Sequence, residues 1–340
     1  MNAPPREAAS RRARLRAGLG ARLRAHRTAL RRGAVIAFAL LVAALLAQQA
    51  REVQWDEVVQ AMRGYRAPQL AAAAALAALA YLLYACYDVL GKFYAGHPLS
   101  VARSMAVAYV SYAFNLNLGS LVGGVGFRYR LYGKLGLDVG TITRVLGFSL
   151  VTNWLGYLWV AGAIFASGTL DLPPDWAIDS AMLRVLGALL LAAAAAYVAA
   201  CGLARRRRWQ VHGHAVELPS LRVAALQSLL AAASWSTIGL VLHTLMPAGA
   251  SYALVLGVLL VSGIAGAATH IPGGLGVVEA VFVMLLGARL PRGELFAALL
   301  AYRAVYYLLP LAAAAVLYAA MEAQGRRGRV RGAARPEGRA

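Results

Sequence analysis

Charge is what this sequence has least of. Asp, Glu, Lys and Arg make up 14% of its 340 residues, against about 25% in soluble domains. Meanwhile 61% of the residues are hydrophobic and the mean hydropathy is +0.61. Apolar runs of about 18 residues or more recur along the chain, which excludes a single soluble core and calls for several membrane-spanning segments. Acidic residues are rarer still, 14 against 34 Lys and Arg, for a net charge of +20. In a soluble protein that balance would raise nucleic-acid binding. Here the basic residues sit at the ends of apolar segments, which is topology signalling, and nucleic acid is not expected as a partner. Cysteine is nearly absent. Cys86 and Cys201 both lie within apolar segments, so no disulfide framework is implied and no metal-ligand spacing involves them. GxSxG, Walker and HExxH elements are lacking. His212, His214 and Glu217 share a basic loop without a further ligand. No catalytic set, metal or other cofactor is therefore expected, and the chain reads as a non-enzyme.

What is present is organised by length and charge. Six stretches are long enough to span: 33–50, 69–91, 145–167, 182–204, 221–246 and 294–320. The first follows a basic arm too long for a signal peptide and has no clean small-x-small cleavage site, so it reads as a retained helix. Residues 1–32 carry ten Arg and one Glu, and 321–340 six Arg and two Glu. Both read as cytoplasmic arms that also lie on an anionic leaflet. The domain plan is thus an N-terminal arm 1–32, one membrane domain 33–320 and a basic tail 321–340.

Two further regions, 102–138 and 252–288, are apolar but interrupted by Asn115, Asn117, Pro272 and glycine clusters. Were 104–122 to cross fully, Arg128, Arg130, Lys134, Arg144 and the run Arg205 to Arg208 would fall outside, with Asp171, Asp175 and Asp179 inside. That order violates the positive-inside bias at every step. A re-entrant hairpin over 102–138 restores agreement for every loop, with both termini cytoplasmic. For 252–288 a hairpin and two full crossings have the same parity. A displacement of 150 residues favours the hairpin. It lays Gly123, Gly124 and Gly126 on Gly273, Gly274 and Gly276, and one more residue of offset lays Arg128 on Glu279. Segment order follows the same displacement. The expected fold is all-α and polytopic, an inverted repeat of halves 33–167 and 182–320, each with three spanning helices and a glycine-broken re-entrant hairpin.

Breaks of this kind at matching places in inverted halves point to a midplane substrate site; close helix packing by the glycines is the plainer alternative. The candidate hinge set is Asn115, Asn117, Gly123, Gly124, Gly126, Pro272, Gly273, Gly274 and Gly276, with His270 as a cap on the second break. Charges inside the apolar segments are sharper. Asp88, Arg128, Glu279 and Arg303 would each cost about 2.5–3.5 kcal/mol at a helix centre, and such residues face a cavity and pair. The expected pairs are Asp88 with Arg128 and Glu279 with Arg303. Asp88 beside Lys92 also fits a membrane-end residue, and Arg128 a cytoplasmic anchor. Tyr129, Tyr132, Tyr302, Tyr306 and Tyr307 crowd the same places, where interfacial belts account for most of them.

The run Gly123-Gly124-Val125-Gly126-Phe127-Arg128-Tyr129-Arg130-Leu131-Tyr132, then Gly136-Leu137, resembles the first hairpin of the lysylphosphatidylglycerol synthase transmembrane (flippase-like) family. Pro272-Gly273-Gly274-Leu275-Gly276-Val277-Val278-Glu279, then Tyr302-Arg303, is similar to its second, and the likeness covers roughly 33–320. It implies a membrane domain of the kind that moves aminoacylated phosphatidylglycerol between leaflets, and it matches Asp88, Arg128 and Glu279 to positions considered functional there. The first hairpin lacks the proline of many relatives. No soluble synthase-like domain follows residue 320, so synthesis of an aminoacyl lipid is not expected. The expected function is a lipid translocase or headgroup binder of the bacterial cytoplasmic (inner) membrane. Arg128 and Arg130 would hold a headgroup phosphate, with Asp88, Glu279 and Arg303 completing the site and anionic phospholipid as the partner. A membrane-embedded enzyme on lipid-linked substrates and a scaffold of an envelope-synthesis complex are the alternatives.

Overall fold

The computed structural model describes residue 40, residues 55–170, 172, 179–204, 208–211, 214–269 and 276–333. The arm 1–32, His270, Pro272, Gly273, Gly274 and the end of the tail lie outside the described residues, as do the acidic-loop positions 171 and 175 and, save for helical Leu40, the first apolar stretch. By contacts the chain divides into Met1–Val53 and Gln54–Ala340, and everything below concerns the second unit.

Its boundaries follow from capping. A short helix α1 (Trp55–Arg63) precedes α2 (Ala67–Ala95), which carries Pro68 in its first turn, where a missing N–H costs nothing, and stops at Gly96 with φ 70°. Ser100, Asp138, Asp179 and Ser220 each accept a backbone N–H three residues on, opening α3 (Val101–Leu118), α5 (Val139–Ala166), α6 (Ser180–Leu203) and α7 (Leu221–Leu245). Between α3 and α5 lie a π-helical stretch, Ser120–Gly126, and α4 (Phe127–Lys134). A two-stranded ribbon, β1 (Arg208–Val211) against β2 (His214–Glu217), joins α6 to α7. It occupies what reads in the sequence as a loop, and the Tyr94 hydroxyl at the end of α2 donates to the Glu217 carbonyl (2.5 Å). Then come α8 (Tyr252–Thr269), α9 (Val277–Leu286), α10 (Arg292–Tyr302), a second π-helical stretch, Arg303–Leu308, and α11 (Leu309–Ala333).

Among the described residues, five stretches are long and apolar enough to cross a membrane: Ala67–Ala95, Val139–Ala166, Ser180–Leu203, Leu221–Leu245 and Arg292–Ala323. They match five of the six spans read from sequence, and the sixth lies outside the described residues. Helix α2 packs against α7, α3 and α5, while α5 packs against α6 and α7. Small residues set the approach, as membrane interfaces require: a Cβ on Gly156 would stand 2.6 Å from Ala231, and one on Gly162 2.8 Å from Leu191.

Both glycine-broken regions fold back on themselves. Limb α3 returns through the π-helical stretch and α4, and α8 packs on α9. In the first, the reversal happens at Gly119, whose φ of 83° is open to glycine. The sequence-assigned hinges Gly123, Gly124 and Gly126 are not the turn. They lie in the returning π-helical limb, where Gly123 rests directly on the backbone of Phe114 and Asn115, and Gly124 on the Asn115 side chain. Asn117, in the last turn of α3, donates back to the Ala113 carbonyl (2.8 Å). In the second region Gly276 takes φ 78° just ahead of α9.

The last span is not one smooth helix. Pro310 has no N–H to give the Tyr306 carbonyl four residues back, so the preceding turn widens to π geometry. The freed carbonyls are taken by neighbours. Tyr81 donates to Tyr306 (3.1 Å), Asn117 to Tyr307 (3.4 Å) and Tyr109 to Pro310 itself (3.3 Å). Tyr81→Phe should therefore cost about 1–3 kcal/mol by leaving that buried carbonyl unpaired, read as lowered thermal stability of the purified protein.

Candidate functional site

The interior charges pair as their cost demands. Asp88 lies seven residues from the end of α2, about 10 Å along its axis, and Arg128 is the second residue of α4. The guanidinium grips the carboxylate with two parallel bonds, Nε to Oδ2 at 3.1 Å and one terminal nitrogen to Oδ1 at 3.0 Å. This fork is the strong form of the interaction. Both side chains are shut in, at 2% and 0% exposure. The remaining valences are filled: Arg128 also donates to the Gly124 carbonyl (3.3 Å) and the Ser149 hydroxyl of α5 (3.3 Å), and Tyr132 donates to Asp88 Oδ2 (2.9 Å). Neither charge stands exposed and alone at a helix end.

Glu279, in the first turn of α9, pairs with Arg303 at the head of the second π-helical stretch, with Nε to Oε1 at 2.5 Å and a terminal nitrogen to Oε2 at 3.0 Å. This pair is half-buried, and the acidic side chain sits at a helix N-terminus, where the dipole favours it.

Arg130 does not join Arg128. Two residues apart on a helix, they face different ways, and Arg130 donates to the Tyr318 hydroxyl (2.8 Å) and to Glu322 (3.1 Å) on α11. Lys134 reaches the same Glu322. That carboxylate falls in the stretch read as a free tail, yet α11 continues helical through it to Ala333.

Tyr81, Tyr132, Tyr302 and Tyr306 are buried within the protein and Tyr129 and Tyr307 half-buried, and a column of tyrosines runs through the interior. The column joins the two pairs. Arg128 sits over the Tyr84 ring at 5.8 Å, and Tyr84 stacks on Tyr112 at 3.6 Å. The Tyr112 and Tyr306 hydroxyls bond at 2.9 Å. Tyr306 stacks on Tyr302 at 5.3 Å, Tyr302 packs edgewise on Tyr307 at 5.7 Å, and Arg303 lies over Tyr307 at 5.6 Å.

Sequence reasoning passed over Tyr84, Ser149 and His97, and named Tyr132 only among the crowded tyrosines. For two of them a signal existed: Tyr84 and Tyr132 each stand four residues from a charge, Asp88 and Arg128, on the same helical face. His97 follows the cap of α2 and is buried, with its ring edgewise to Tyr132 at 5.9 Å. Neither of its nitrogens has a hydrogen-bond partner among the described residues. Nothing in the spacing of the sequence marks it. Among the described residues no group of three or more His, Cys, Asp or Glu stands where it could hold a metal ion.

Comparison with known proteins finds similar chains. A family model described as the lysylphosphatidylglycerol synthase TM region matches residues 33–314. Inner membrane protein YbhN of Escherichia coli is 44% identical over 291 residues, covering 85% of this chain and 92% of that protein. Uncharacterized protein slr0712 of Synechocystis sp. is 30% identical over 275 residues, covering 79% of this chain and 84% of that protein.

Proposed function

The chain belongs to the lysylphosphatidylglycerol synthase TM region family, and on that premise we propose that it moves a lipid with a charged headgroup between leaflets of a bacterial inner membrane, acting as a translocase without covalent chemistry. One observation carries the reading. A bidentate Asp88–Arg128 pair, fully buried, is held between an apolar span and a fold-back limb. Apolar replacements of such a pair are commonly as stable or more so, so its presence in a membrane interior argues for use, not for stability.

The geometry supports a closed state. Arg128 is the group that binds a headgroup phosphate, and Asp88 holds its place until one arrives. Glu279 and Arg303 form the matching exchange pair on the second fold-back, facing a cationic part of the headgroup or each other. Arg130 serves differently from its expected role, tying α4 to α11 through Glu322 and so positioning Arg128. We read the two fold-backs as re-entrant hairpins of an inverted repeat with both termini cytoplasmic. The loop charges and the 150-residue displacement support that reading, and the paired breaks, each ending at a functional charge, agree with it. Anionic phospholipid is the partner this charge pattern favours.

The test is movement of a fluorescent phospholipid in proteoliposomes. Arg128→Ala and Glu279→Ala should each slow it at least about tenfold, the equivalent of about 1.4 kcal/mol in the barrier. Unchanged movement in both, with the variants folded, would remove these residues from the site.

A further inference from the structure

We propose that His97 is a proton-binding site of the Asp88–Arg128 centre, and that the centre takes up one proton there for each anionic phosphodiester it admits. This deepens the lipid reading above and rests on it. The first support is position. His97 is 3% exposed in the turn between α2 and α3, and both ring nitrogens lack partners among the described residues. A buried imidazole with neither nitrogen engaged is an unused donor and acceptor, and such groups call for a role or a second state. Its ring lies against Tyr132, whose hydroxyl holds Asp88 Oδ2. The groups facing it are Lys92 and Asp88 from α2 and Tyr132 from α4.

The second support is charge balance. The closed centre is neutral: Asp88 carries one negative charge, Arg128 one positive, His97 none. Admitting a phosphodiester onto Arg128 brings one negative charge into a buried site, which is costly unless matched. A proton on His97 matches it. The imidazolium becomes the partner of Asp88, Arg128 is released to the phosphate, and the loaded centre is neutral again with two ion pairs in place of one. Proton and anion therefore enter and leave together.

Burial and the Lys92 ammonium push the His97 imidazole below its usual range, and Asp88 draws it part of the way back. The sign follows. In the closed state the ring stays neutral where a solvated one, with a pKa of about 6.5, would be protonated, so closure is favoured above that pH and lost as pH falls below it. The loss is at most tenfold per pH unit for one proton.

Amide hydrogen exchange of residues 124–134, in the full-length protein in phosphatidylglycerol nanodiscs and corrected for intrinsic rates, reads this directly. The wild type should exchange up to about tenfold faster on going from about pH 6.5 to about pH 5.5, with no change at alkaline pH. His97→Gln should keep the alkaline protection and lose the step, and Lys92→Gln should narrow it. A step absent from the wild type, or retained in both His97→Gln and His97→Asn, overturns the proposal. Lipid movement is not read here, so failure of the proton site leaves the translocase reading standing. Lipid that does not move in proteoliposomes, with the pH step intact, removes the translocase reading and the headgroup coupling with it.

Discussion

Asp88→Asn should destabilise the protein by about 3–5 kcal/mol, because it leaves the Arg128 guanidinium charged, buried and without its counter-ion. Arg128→Ala should cost about as much from the other side. The informative experiment is the compensated one. Asp88→Leu combined with Arg128→Met removes both charges at similar volume. The Tyr132 hydroxyl is then left without its acceptor, a cost of about 1–3 kcal/mol that Tyr132→Phe in the same chain cancels, while the Gly124 carbonyl and the Ser149 hydroxyl each lose only a long bond of 3.3 Å. The triple variant should be as stable as the wild type or more so in thermal unfolding, and should move no lipid. A purely structural pair predicts that stability and movement return together. Recovery of movement in the triple variant would sink the exchange mechanism.

The second large effect is steric. Gly123→Ala places a Cβ on the Asn115 nitrogen and the Phe114 carbonyl group, which are backbone atoms of the opposing limb and cannot rotate away. Overpacking against backbone belongs at the top of the usual range, about 3 kcal/mol or more. The neighbouring Gly124→Ala meets the Asn115 side-chain oxygen at 2.9 Å. That side chain can turn aside, so the cost should be about 1 kcal/mol. Folded yield and melting temperature of the two variants, measured side by side, check the contrast. Equal tolerance would mean that the limb does not seat on α3 as described.

The contrast also shows what was legible before any coordinates. The five described spans were, because an apolar run long enough to cross needs no partner to identify it. So were the two ion pairs: a charge in a membrane interior is expensive, the interior charges are few, and Asp88 with Arg128 and Glu279 with Arg303 was the economical pairing. The turn at Gly119 was hidden, since backbone sign is not written in a chain with 34 glycines. Arg130 stands near Arg128 in sequence, yet helical geometry separates them and turns Arg130 to Tyr318 and Glu322. The contact that Tyr81, Tyr112 and Tyr306 make between α2, α3 and the last span was not legible, since composition says nothing of which rings meet. Glu322 looked like tail because the apolar run had ended, yet its partners Arg130 and Lys134 lie 192 and 188 residues away in the chain.

The widened turn at Arg303–Leu308 sets the rotational phase of everything after it. Its bonds reach five residues in place of four, so it holds one residue in reserve. Had this turn been ordinary helix, the distal segment would stand about 100° round its own axis from where it does. Tyr318 and Glu322 would swing off Arg130, and the carbonyls now held by Tyr81 and Asn117 would withdraw from α2 and α3. The turn that Pro310 widens thus sets which face of α11 meets the limb that carries Arg128.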